Sequence, residues 1–171
     1  MKRVLLPAIL LVFLFPARAD DLGFSLGPWS FGGGVDPGTY AGAGLVWGFS
    51  PRLEAELVAV GELTPLPGNT FLGGGLLSVS LLGPRIPTYF NAVLDLGYLH
   101  GLAGLNPSGT DLSLRGAEHR NFLFLRVSPL AIGNPHFRMR DRIFSAGVLY
   151  SLEEQSFSLV WSWLIYGRYF S

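Results

Sequence analysis

The residues whose types and spacing could do chemistry are charges set at every second position of otherwise apolar segments. Glu54, Glu56 and Glu62 share one parity, while Leu53, Ala55, Leu57 and Ala59 occupy the other. Asp95 stands between Leu94 and Leu96, and Arg126 between Leu125 and Val127. An extended chain turns successive side chains to opposite faces, so each such segment has one apolar and one ionic face. Charges removed from water need partners. The carboxylates therefore read as opposed to Arg120 and Arg126 across an enclosed interior, with Arg138, Arg140 and Arg142 as further candidates. Arginine suits this role because its planar fork can grip a carboxylate through two hydrogen bonds. Such a network is either a structural plug or a gate on a polar path.

Other chemistries find less support. His100, His119, Asp95, Ser108 and Ser113 could be drawn as a nucleophile and base set, but no motif places them together. The histidines lack ligand spacing and there is no Cys, so no catalytic, cofactor or metal site is assigned and the chain reads as a non-enzyme. The Gly32–Gly34 and Gly73–Gly75 runs lack the lysine of a phosphate loop. Tyr89, Phe122 and Phe124, with Leu99, form a candidate luminal aromatic site for small apolar molecules. Trp29, Trp47, Trp161 and Trp163 read as interfacial belts and lipid contacts.

The elements that must position these groups are strands. In the last segment Phe157, Leu159, Trp161, Trp163 and Ile165 make an apolar row, with Ser158 and Ser162 on the opposite parity. Tyr169 and Phe170 stand nearly last in it, ahead of Ser171, which resembles the terminal strands by which outer-membrane barrels are recognised for insertion, so these two are assigned as the insertion signal. Seven earlier segments alternate in the same way, and Gly42, Gly44 and Gly48 of the second share the inward parity, where small residues make room. Trp29 and Phe31 lie on the opposite parity to Leu22, Phe24 and Leu26, which predicts a bulge at Pro28. Residues 129–135 read as a turn, and residues 100–119 as a long surface loop. Strand seven conflicts with itself: Phe144, Ala146, Val148 and Tyr150 share parity with Arg138, Arg140 and Arg142.

Residues 1–19 carry a basic start, a short apolar run and an Ala-x-Ala site, the pattern of a cleaved signal peptide, which leaves residues 20–171 as one domain. Beyond residue 19 there are nine Arg, twelve acidic residues and no Lys, so the footprint of a nucleic-acid binder is missing. No apolar run beyond the leader reaches the roughly 18 residues of a spanning helix. An exported apolar chain without such helices fits an all-β, eight-stranded antiparallel transmembrane up-and-down barrel.

The run Phe124 to Pro135, the run Arg142 to Tyr150 and the Trp-rich end resemble small spirochaetal outer-membrane proteins of the OmpW-like class. That resemblance implies an eight-stranded barrel that passes small hydrophobic compounds. The function read from the sequence is thus an outer-membrane barrel acting as a narrow channel or carrier for small hydrophobic or amphipathic solutes. The alternative is a structural or surface-interaction barrel. Expected partners are outer-membrane lipid, the barrel-assembly machinery and a small apolar solute, with no nucleic acid.

Overall fold

The computed structural model describes residues 22–33, 38–61, 71–86, 90–102 and 119–170. They form eight strands: β1 (Leu22–Gly33), β2 (Gly38–Gly48), β3 (Leu53–Gly61), β4 (Phe71–Ser80), β5 (Phe90–Leu102), β6 (Asn121–Asn134), β7 (Met139–Ser151) and β8 (Phe157–Tyr169). Each pairs antiparallel with the next, and β8 pairs with β1 to close the barrel. Closure satisfies the backbone of every strand on both sides and leaves no edge. The leader, Glu62, Tyr89, Ser108, Ser113 and most of the 100–119 loop lie outside the described residues.

Alternation decides what faces where. On β3, Glu54, Glu56, Val58 and Val60 are buried, while Leu57 and Ala59 are exposed. The inner faces divide by height. Toward the short connections at 49–52, 81–89 and 135–138 the interior holds the charges. Toward the other end it is apolar, with Trp29, Phe31, Val60, Leu72, Leu99, Phe122, Phe124 and Leu149 packed as one cluster.

The conflict in strand seven is resolved by a row of bulges. The β5–β6 register shifts between Asn91 and Val93, and the β1–β8 register between Leu26 and Ser30, while the β6–β7 and β7–β8 registers run on unshifted. The three strands β6, β7 and β8 therefore each carry one extra residue at the same level, at Pro129–Leu130, Ile143–Phe144 and Trp163–Leu164. In β6 and β7 both residues of the step face outward. Below the step the parity reverses. Arg140 and Arg142 thus point inward although Phe144 and Ala146 point outward, and Phe144 adopts a φ of 53° to make the step.

Three expectations change with it. Residues 129–134 are strand rather than turn, because Pro129, which has no N–H to give to the ladder, is accommodated at the bulge. Ile165 turns inward, so the outward row of β8 stops at Trp163 and resumes at Tyr166. The bulge expected at Pro28 is found at that level, but the extra residue belongs to β8. Gly27 lies against it, where a Cβ would come within 3.0 Å of the Ile165 Cα.

Candidate functional site

Three carboxylates and three guanidinium groups are buried inside the barrel: Glu54, Glu56 and Asp95 against Arg126, Arg140 and Arg142. The formal charges of these six balance, as a medium of low dielectric constant demands. Asp95 is the hub on one side. Its Oδ2 accepts from Arg126 Nε at 2.7 Å and from Arg142 Nη1 at 2.6 Å, and its Oδ1 from Ser78 Oγ at 2.6 Å. Arg142 bridges onward, its Nη2 donating to Glu54 Oε1 at 3.0 Å and to Ser78 Oγ at 3.2 Å. Glu54 also pairs with Arg140 and accepts from the Tyr169 hydroxyl. Strands β3, β4, β5, β6, β7 and β8 are thereby tied across the lumen, where backbone ladders connect only neighbours.

Glu56 is held differently: Ser25 Oγ donates to its Oε1, while its Oε2 has no hydrogen-bond partner among the described residues. Gly44 makes the space for this pair, since a Cβ there would strike the Glu56 carboxylate and Ser25 Oγ. Gly42 and Gly48 serve the same purpose for the Trp29 indole and the Arg85 guanidinium. The inward glycines of β2 thus make room as the alternation predicts.

Arg126 joins the two halves of the interior. Its guanidinium lies 4.6 Å from the ring centroid of Trp29 and 5.3 Å from that of Phe124, and those two rings stack at 5.2 Å. A cation over aromatic faces is stabilised by their quadrupoles, most strongly where water is excluded. At the short-connection end Arg85 folds back toward the barrel, donating to the Ser50 carbonyl and standing 5.7 Å from the Tyr169 ring.

Glu54, Glu56, Asp95 and Arg126 are brought inside as the alternation predicts, and Phe122 and Phe124 are luminal. Arg120 is not. It lies just ahead of β6 at the long-loop end, paired with Glu154 at 2.6 Å and a quarter exposed, because a charge beyond the strand end keeps its solvation without a buried partner. Trp29 is likewise no belt residue: it is 2% exposed and fills the lumen. Arg138 lies in the turn at the short-connection end, its Nε buried without a hydrogen-bond partner among the described residues, while Arg140 and Arg142 become central. Tyr169 is buried on Glu54, whereas Phe170 is exposed and rests on Phe24 with centroids 6.0 Å apart. Ser25 and Ser78 were missed; their inward parity beside apolar neighbours is the signal that could have found them.

A second polar cluster lies at the long-loop end. Glu153 accepts from the Asn121 backbone N–H at 2.9 Å and from its side-chain amide, and these donors hold the exposed Glu153 carboxyl below the usual range. Asn121 Oδ1 in turn meets the Tyr98 hydroxyl and, at 3.0 Å, His100 Nδ1.

Fold and interior together define a closed eight-stranded antiparallel barrel whose fully buried charges, among the described residues, balance inside a side-chain-filled lumen. The chain matches no protein-family model, no curated protein and no solved structure.

Proposed function

We propose that this chain is an integral outer-membrane barrel, shut by its own side chains, that acts as a membrane-embedded scaffold presenting its long-loop end. The observation that supports the membrane setting is the outward face. Leu45, Leu57, Leu96, Leu123, Leu159 and Trp163 are exposed on it. Among the described strand residues its only charges are Asp141 and Arg168, paired at 2.5 Å near the short-connection end. A barrel with ions inside and leucines outside is inverted relative to a water-soluble one, and lipid is the solvent that suits it. The leader pattern at residues 1–19 supports export. Flotation with vesicles and a heat-dependent gel shift of residues 20–171 are expected; a chain that stays in solution without detergent and does neither would overturn the membrane reading.

The scaffold reading rests on burial. Glu54, Asp95, Leu72, Leu99 and Leu149 are 0% exposed, which supports a lumen that water enters from neither end. Planar-bilayer recordings should give no conductance above lipid background. Deleting residues 103–118 should leave the barrel folded and abolish binding of whatever partner it displays to. The channel or carrier reading has its own support in the aromatic upper lumen and in the OmpW-like resemblance. It requires Arg126 and Asp95 to part, and sustained conductance of the folded protein would favour it.

A further inference from the structure

We propose that the outward side of β5, β6 and β7 is a binding site for one phosphoethanolamine lipid, an acyl chain in an apolar groove and the head group on the polar cluster above. This rests on the membrane reading given above. The groove has a volume of about 330 Å³ and is lined by Leu96, Leu123, Leu125, Val148 and Tyr150 over Gly97. The register places it between two cross-strand rows, Leu96–Leu125–Val148 and Tyr98–Leu123–Tyr150. The next outward row toward the long loops is His100–Asn121, so the polar cluster stands directly over the groove. An apolar slot under a fixed polar group is the shape of a lipid, chain below and head above.

The cluster also has the charges of the head group. Glu153 is an exposed carboxylate, and Arg120, although paired with Glu154 at 2.6 Å, is a partly exposed guanidinium with five N–H donors, an arrangement complementary to an ammonium and a phosphate on one short head. His100 is oriented for a further contact. The Asn121 amide donates to Glu153 Oε1, so its oxygen is the atom facing His100, and Nδ1 must carry the proton of that hydrogen bond. In the neutral ring this leaves Nε2 as an acceptor, suited to the ammonium N–H of the same head group. A choline head offers no N–H, and a glycerol head offers no cation.

The test uses the folded protein in detergent micelles doped equally with phosphatidylethanolamine, phosphatidylcholine and phosphatidylglycerol of identical chains, read by native mass spectrometry. One retained phosphatidylethanolamine is expected, preferred by about tenfold, the equivalent of one charge-assisted hydrogen bond. Val148→Trp, which fills the groove, should abolish retention. Glu153→Gln should remove the head-group preference while the heat-dependent gel shift stays unchanged. Equal retention of the three lipids, or retention indifferent to both substitutions, overturns the site. Vesicle flotation separates the two levels: a protein that floats without head-group preference refutes the groove alone, and one that does not float refutes both.

Discussion

Replacing Asp95 by Asn isolates the charge at the centre of the lumen. Asp95 Oδ2 accepts both arginine N–H groups, at 2.6 and 2.7 Å, and Oδ1 faces only the Ser78 hydroxyl. An Asn with its oxygen at the Oδ2 position keeps both arginine contacts, and its amide can donate to Ser78 once that hydroxyl rotates. Shape and hydrogen-bond count are thereby preserved. What is lost is one negative charge, leaving three buried guanidinium groups against two carboxylates. Two contacts between opposite charges become contacts between a guanidinium and a neutral amide oxygen, each still charge-assisted from the donor side but without the attraction between ions. An unbalanced buried charge adds to that, and breaking a buried pair from one side costs about 3–5 kcal/mol. Because both hydrogen bonds survive, the expected loss lies at the lower end of that range, about 3 kcal/mol, or roughly a hundredfold in the folding equilibrium. Urea unfolding in lipid vesicles, followed by tryptophan fluorescence and by gel mobility, measures it. The double variant Asp95→Asn, Arg126→Met should recover part of the loss by restoring charge balance, with a coupling of at least about 1 kcal/mol. A single variant within about 0.5 kcal/mol of the parent, or strictly additive losses, would refute the view that the lumen is held by balanced ions.

Four further outcomes follow from other parts of the barrel. Gly44→Val forces a side chain into the Glu56–Ser25 pair and should cost about 1–3 kcal/mol in the same unfolding assay, whereas Gly75→Val, with open space around it, should cost far less. Phe144→Val puts a β-branched residue at φ 53° and removes the ring 5.5 Å from Trp163; about 1–3 kcal/mol should be lost, and a neutral result would contradict the bulge. Tyr169→Phe removes only the hydroxyl on Glu54 and should lower stability without lowering outer-membrane levels, while truncation of residues 169–171 should lower both; equal levels for the truncated chain would refute the insertion-signal role. Glu153 has a folded pKa below its unfolded one, so its contribution is fully present above the ordinary carboxylate range and is lost as pH falls through the lowered value. The protection of the Asn121 amide against hydrogen exchange, measured relative to the rate of an unstructured amide at the same pH, should therefore stay high at neutral pH and fall only in acid below that range, and Glu153→Gln should flatten the profile.

How much of the site was legible depended on how local its cause was. Glu54, Glu56, Asp95 and Arg126 were placed by parity alone, because within an unbroken strand the period of two fixes each side chain's face. Arg140 and Arg142 could not be, since their facing depends on an extra residue shared by three neighbouring strands. That step exists only once the strands are paired. Trp29 shows the same limit: its parity with Ser25 was visible, but lipid and lumen are both apolar destinations for an indole, and only packing on Phe124 and Arg126 separates them.

The sequence by itself determined the class: eight alternating strands, closed against one another, with charges on one face and leucines on the other, because strand periodicity and the cost of unpaired backbone leave few other folds. Only the tertiary structure decided that the buried carboxylates and guanidinium groups meet inside a filled lumen, that Tyr169 turns inward onto Glu54, and that His100, Asn121 and Glu153 meet above an apolar groove. Each of these joins residues far apart in the chain, and their distances are set by register, bulge and closure, which no single segment encodes.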